Sequence, residues 1–340
     1  MRHSGRWNGS ILRALLVGAS LAGCAEESPV VDLGVANINL LHGAFCPEET
    51  DYCRLADRVQ LLMQWIAHIG CPDVVTLQEV WEDAHALIDQ QRGTVCPFAY
   101  EVVYRPTLGY DEELVLSRYP VLDVAQVTLA AEFRHALAVR VDHPTLPVDV
   151  VTTHLATEGE GAALPCDASH CPDACLQAGT ATRRDCQFFQ VVELARARRR
   201  ADGLSVVTGD LNAPPTSAGY RRLLDEGYVD TFLEAGNAEC SATALDGCTS
   251  GRESQDLSDL EDPTARETER IDYVFLHRSE AHSGCTLDPE ADADQDGKTT
   301  AGFADRPNPF AASCGPAPLP ICWPSDHTGV QMDLDCPGDS

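Results

Sequence analysis

Leu204-Ser205-Val206-Val207-Thr208-Gly209-Asp210-Leu211-Asn212 decides how this chain is read. Its first half suits a buried strand and is too short for a helix. It then turns polar, ending in a carboxylate and an amide. A buried strand that ends this way must deliver those groups to a polar cleft or leave them at a cost.

The pattern recurs in both directions. Val150-Val151-Thr152-Thr153-His154-Leu155 ends in an imidazole. The apolar run Val35 to Leu41 carries Asn39 near its end. Asp73 to Glu79 reads as a strand that stops in Leu77-Gln78-Glu79-Val80. Asp272 lies in Arg270-Ile271-Asp272-Tyr273-Val274-Phe275, and Asp326 with His327 opens the final strand. One such residue is explained by a cap or a turn. Six strands behaving this way argue for one shared site.

Helices alternate with these strands. Arg54 to Ile69 has Leu55, Val59, Leu62, Ile66 and Ile69 on one stripe, and Gly70 and Pro72 stop it. Trp81–Gln91, Thr182–Arg200 and Ser217–Glu226 also read as helices. Further strands are predicted at Phe98–Arg105, Glu113–Ser117, Val121–Leu129 and Ala136–Val141. This alternation predicts an α/β sandwich of two sheets flanked by helices. No linker divides the chain, so residues 34–336 are read as one domain. Irregular insertions are predicted near residues 156–180, 236–269 and 285–322.

Residues 1–23 read as a lipoprotein signal peptide. Arg2, Arg6 and Arg13 precede an apolar run too short to span a bilayer, which ends Leu21-Ala22-Gly23-Cys24. That ending resembles a bacterial lipobox, in which Cys24 is lipidated; residues 24–33 are then a tether. The expectation is an exported lipoprotein, held in a membrane through this anchor and facing the periplasm or the cell exterior. The 15 Cys support export. Without Cys24, 14 remain, enough for seven disulfides. Cys46 with Cys53 and Cys240 with Cys248 are close enough to staple loops. Cys166, Cys171, Cys175 and Cys186, with His170 among them, fit either disulfides or zinc; the spacing contains no Cys-x2-Cys pair and favours disulfides.

The net charge is −29, and losing the three leader Arg makes it −32. Such a chain is not drawn broadly to polyanions, although a bound cation reverses the local field.

Six short motifs in order resemble the endonuclease/exonuclease/phosphatase superfamily, which includes deoxyribonuclease I-like nucleases, inositol polyphosphate phosphatases and sphingomyelinases. They are Ala36-Asn37-Ile38-Asn39, Leu77-Gln78-Glu79-Val80, Thr153-His154-Leu155, Gly209-Asp210-Leu211-Asn212, Ile271-Asp272-Tyr273 and Ser325-Asp326-His327. The resemblance implies a deoxyribonuclease I-like four-layer α/β sandwich, with two mixed β-sheets packed face to face. It implies a divalent-metal-dependent hydrolase of phosphate esters, and metal ligands in Glu79, Asn39 and Asp326. Oxygen ligands suit Mg2+ or Mn2+. His154, Asp210, Asn212, Asp272 and His327 are the implied catalytic residues, with Asp272 orienting His327. Glu113 is the candidate carboxylate partner of His154.

Asp292-Ala293-Asp294-Gln295-Asp296-Gly297 matches the start of a calcium loop, but position 12 is Phe303 rather than Glu. A solvated turn and a weak structural Ca2+ site both remain open there. The substrate is expected to be a phosphodiester, either nucleic acid or a lipid headgroup. Arg183-Arg184, Arg198–Arg200 and Arg221-Arg222 give a nuclease some local positive charge. The insertion 236–269 has no aromatic residue and so lacks what a membrane-inserting hairpin needs. A sphingomyelinase-like lipid phosphodiesterase and an inactive binding protein are the alternatives. No feature points to a protein partner.

Overall fold

The computed structural model describes residues 30–41, 53–107, 112–130, 133–241, 247–252, 257–262, 264–287 and 321–337. The elements run β1 (Val30–Asn39), α1 (Leu55–His68), β2 (Val74–Gln78), α2 (Glu82–Gln91), β3 (Glu101–Tyr104), β4 (Leu114–Ser117), β5 (Val121–Thr128), β6 (His135–Val141) and β7 (Val148–His154). Then follow α3 (Asp173–Gln177), α4 (Arg183–Arg198), β8 (Leu204–Asp210), α5 (Ala218–Asp225), β9 (Val229–Asp230), α6 (Thr231–Glu234), β10 (Asp272–Arg278), β11 (Thr286–Leu287) and β12 (Val330–Pro337).

The strands form two six-stranded mixed sheets, ordered β11-β12-β1-β2-β4-β3 and β5-β6-β7-β8-β10-β9. Each has one parallel pair, β1 with β2 and β7 with β8, bridged by a helix-bearing crossover. Their inner faces meet in one apolar core, where Leu33, Val35, Val74 and Val115 face Val139, Val150, Val206 and Val274. On the outer face of the first sheet lie α1 and α2, with Val59, Leu62, Trp65, Ile66 and Ile88 against Ala36, Ile38 and Val75. On the outer face of the second lie α4 and α5. Phe188, Val191, Val192 and Leu223 pack there against Val151, Val207 and Phe275. The layers are therefore helix, sheet, sheet, helix, as expected.

Local chemistry sets the ends of α4. Thr182 accepts the Asp185 amide, and the Asp185 carboxylate accepts the Thr182 amide, closing a capping box. Arg196 and Arg198 fall in its last turn, where the helix dipole favours cations. β7 and β8 end at His154 and Asp210, the polar residues expected at their ends. The first strand differs: it begins at Val30, inside the stretch expected to be a tether, because residues 30–33 pair with β12 from Pro337 to Leu334. The final strand begins at Val330 rather than near His327. The insertion expected to be irregular over 156–180 contains α3 and a 3-10 turn at Glu158–Glu160.

All twelve described cysteines are disulfide-bonded. Five bridges lie wholly within the described residues: Cys71–Cys96, Cys166–Cys171, Cys175–Cys186, Cys240–Cys248 and Cys285–Cys336. The Cys166–Cys186 cluster is thus two bridges, which removes the thiolates that zinc requires. His170 pairs instead with the exposed Asp167 at 2.9 Å. Cys24, Cys46 and the Asp292, Asp294 and Asp296 loop lie outside the described residues. Among the described residues no helix is long and apolar enough to cross a membrane.

Candidate active site

The polar strand ends meet at one edge of the sandwich. Asn39 and Glu79 come from the first sheet. His154, Asp210 and Asp272 come from the second, where strand pairing sets Asp210 beside both His154 and Asp272. Gly209 allows this approach. Its φ is 144°, and a Cβ there would sit 1.9 Å from the Thr153 carbonyl oxygen, so only glycine fits. Leu41, Glu79 and Asn212 follow β1, β2 and β8 with φ of 52°, 56° and 46°. Non-glycine residues in the left-handed region cost on the order of 1–3 kcal/mol each, and such strain gathers at functional sites.

Asn39 links the sheets. Its Nδ2 donates to Glu79 Oε1 at 2.9 Å and to Asp210 Oδ2 at 3.1 Å. Its Oδ1 accepts the Leu41 amide at 2.9 Å, which fixes the amide orientation. Asn39 was expected as a metal ligand. Here its N–H groups face the carboxylates and its oxygen serves the backbone, so it holds Glu79 and Asp210 in place.

His154 Nε2 lies 3.2 Å from Asp210 Oδ2 and 2.8 Å from Asn212 Nδ2. Asn212 Nδ2 also donates to the Leu155 carbonyl, and the Asn212 amide donates to Asp210 Oδ1. The Glu113 expectation needs correction. Glu113 Oε1 accepts the backbone amide of His154 at 3.1 Å, while the ring nitrogen Nε2 faces Asp210. Glu113 therefore fixes the backbone beneath the ring.

His327 Nδ1 lies 2.8 Å from Asp272 Oδ2, as expected of an orienting pair. Its Nε2 is 3.8 Å from Asp210 Oδ2 and 4.0 Å from Asp326 Oδ1. Burial alone would lower the His327 pKa. Asp272, Asp326 and Asp210 outweigh it and raise it well above 6.5. Burial pushes Asp272 up to about 6, against the pull of His327. For Asp210, the charges of His154 and His327 overcome burial and hold the carboxyl below its ordinary 3.8. The favoured state pairs an imidazolium at His327 with ionised Asp210.

Several supporting residues escaped the sequence reading. Thr249 Oγ1 accepts the backbone amides of Ile271 and Asp272, each at 3.1 Å. Ser325 Oγ accepts the His327 amide. Arg252, ion-paired with Glu267, donates to the His327 carbonyl at 3.4 Å and stacks on Trp323. Arg58 is fully buried and ties the Cys53, Leu40 and Pro324 carbonyls together below the cleft. The only signal for Arg58 was a charged residue beside an apolar helix stripe. Thr249 and Arg252 act through long-range contacts and left none, whereas Ser325 stands in the quoted Ser325-Asp326-His327 motif and acts locally.

The cleft fits a divalent cation by its donors. Glu79 and Asp326 are partly exposed carboxylates, and both act electrostatically on buried Arg58. With Asp210 and Asp272 they bring four carboxylates against two histidines. Asp210, Asp272 and His327 also cluster closely enough to ligate an ion. The 2.8 Å hydrogen bond already spends Asp272 on His327, which leaves Glu79 and Asp326 as the better ligands. A cavity of about 360 Å³ around Arg140, His143 and Arg200 lies at the far end of the second sheet, away from this chemistry. Its arginines are paired with Asp149 and Asp202.

Among solved structures the chain is similar to D. rerio TDP2 complexed with single-strand DNA product. The TM-score is 0.58 at 18% identity, covering 89% of this chain and 98% of that one. A Bacteroides thetaiotaomicron endonuclease/exonuclease/phosphatase family protein gives 0.59 at 15% identity, covering 90% and 98%. A B. thetaiotaomicron mannosyl-6-phosphatase gives 0.57 at 15% identity, covering 89% and 99%. No curated protein matches the sequence. The model of the Endonuclease/Exonuclease/phosphatase family matches residues 35–327. The chain belongs to that family of phosphoric ester hydrolases.

Proposed function

We propose that the chain is a phosphodiesterase of the nuclease type that acts outside the cytoplasm. One observation carries the chemistry: Asn39 joins Glu79 and Asp210 across the two sheets, so carboxylates from both sheets share one cleft. Glu79 and Asp326 hold a divalent cation, Mg2+ or Mn2+. When bound, it supplies Lewis acidity toward a phosphoryl oxygen. Asp210 accepts a hydrogen bond from the attacking water and takes its proton as the new P–O bond forms. His327 donates from Nε2 to a phosphoryl oxygen and stabilises charge there. Asn212 and His154 bind the phosphate and steady the leaving oxygen as the ester P–O bond breaks.

The diester reading draws on the single-strand DNA product bound to the similar TDP2. The paired Arg198 and Arg196 leave little free positive charge on the α4 end, so the cation in the cleft carries most of the attraction. Export is argued from the lipobox-like Leu21–Cys24 and from the disulfides. The test is an assay of purified, oxidised protein against DNA, RNA, sphingomyelin and a generic phosphodiester, with and without Mg2+. Metal-dependent cleavage of nucleic acid is expected. Cleavage of sphingomyelin alone would select the lipid alternative, and binding without turnover would select an inactive scaffold.

A further inference from the structure

Inner-facing residues change in three tiers toward the cleft. Successive inner residues on a strand are two apart. Far from the cleft they are apolar: Val35 on β1, Val74 on β2, Val150 on β7 and Val206 on β8. At the cleft they are Asn39, His154 and Asp210. Between these tiers lie Asn37, Thr76, Gln78, Thr152 and Thr208, all fully buried, uncharged and polar.

The middle tier crosses the gap between the sheets. Gln78 Nε2 donates to Asn37 Oδ1 at 2.8 Å in its own sheet and to Thr152 Oγ1 at 2.9 Å in the other. Thr76 Oγ1 adds a second donor to Asn37 Oδ1 at 2.9 Å. The tier is not cheap. Gln78 Oε1, Asn37 Nδ2 and Thr208 Oγ1 have no hydrogen-bond partner among the described residues. A buried polar atom left so costs about 1–3 kcal/mol, and replacing both partners of a buried bond by apolar groups is often neutral or stabilising. Apolar packing, as in the tier below, would hold the sheets together without that loss. What it lacks is direction, since dispersion and burial tolerate sliding that a hydrogen bond does not.

The cleft needs that direction, because its parts come from different sheets. We propose that Gln78 and Thr152 are positioning residues, a clasp that sets the spacing between the Glu79 half of the site and the His154–Asp210 half. The inference rests on the hydrolase reading above and adds two residues that touch no substrate.

The test uses the whole oxidised protein with Gln78→Leu, Thr152→Val, the two together, and Thr152→Ser. A misplacement of about 1 Å can cost about 100-fold in rate. We expect kcat to fall about 10- to 100-fold in Gln78→Leu and Thr152→Val, with KM changed by no more than about twofold. The double variant should be no worse than the worse single one. Thr152→Ser keeps the hydroxyl and should keep kcat. Melting temperature separates this from general damage: the double variant, with the bonded pair replaced, should melt at or above the wild type. It also carries the test if Gln78→Leu alone folds poorly. Unchanged kcat in the double variant, or a loss that only tracks melting temperature, overturns the clasp. If the wild type cleaves no ester, the hydrolase reading fails and crystal structures judge the clasp alone. The Asn39 Nδ2 to Asp210 Oδ2 distance of 3.1 Å should then lengthen in the double variant, and an unchanged distance overturns it.

Discussion

His327 Nδ1 and Asp272 Oδ2 lie 2.8 Å apart, both buried, on segments that reach each other only through the fold. Thr249 holds the Asp272 backbone and Ser325 holds that of His327. The ring therefore has one orientation, with Nε2 turned toward Asp210 and Asp326. A histidine cannot set its own tautomer; a carboxylate on the far nitrogen can.

Their substitutions should not add. His327→Ala is expected to lower kcat/KM by about 10²–10⁴-fold, the usual range for a positioned proton-transfer or charge-stabilising group. Asp272→Asn should cost part of that. The double variant should be little worse than His327→Ala, because the groups act as a unit. Losses that multiply would show that the residues work independently.

Activity should require a divalent ion held by Glu79. Glu79→Gln keeps the shape of the side chain and its contact with Asn39 but removes the charge. Turnover is expected to fall by about 10²-fold or more, and added Mg2+ or Mn2+ should restore little of it. Calorimetric titration with Mn2+ gives a second measure, in which the variant should bind far more weakly. Full turnover in excess chelator would contradict the assignment.

Glu113 should make stability depend on pH. Burial pushes its carboxyl up to about 8, against the opposing pull of the His154 amide and charge, whereas the unfolded chain titrates near 4.5. Between those values the folded state binds the extra proton. The stabilisation is complete below the unfolded value and is lost as pH rises through the folded one. Glu113→Gln keeps an acceptor for the His154 amide and cannot ionise. Its melting temperature should fall less than that of the wild type from about pH 5 to about pH 8. Parallel curves would refute the shift.

Cys24 should carry the anchor. Expressed with its leader in a bacterium that processes lipoproteins, the wild type is expected in the membrane fraction. Cys24→Ser should move to the soluble exported fraction. If the variant stays in the membrane fraction unchanged, the anchor lies elsewhere.

Much of this arrangement was legible in the sequence because strand ends are local. Val150 to His154 and Val206 to Asp210 announce both a buried strand and the polar group it delivers, and β7 and β8 end at those two polar residues. The stripe from Val59 to Ile69 likewise announces the buried face of α1. What stayed hidden depends on contacts between distant residues. The Asn39 amide meets Glu79 and Asp210 only once the two sheets are packed, and Thr249 acts from inside an insertion that reads as irregular. The start of β1 at Val30 requires β12 as a partner, and no property of residues 30–33 alone reveals it. Short elements such as β9, α6 and β11 have too few residues to show a period.

The pairing of β1 with β12 joins segments from opposite ends of the domain, with Val35 opposite Met332. Non-local pairing of this kind is slow to form. Asn39 ends one of these strands, and Asp326 and His327 lie just before the other. A chain that has collapsed but not yet closed this sheet would hold its helices and much of its core without a working cleft. Regained turnover during refolding would therefore time closure of this sheet, a step that helical circular dichroism would miss.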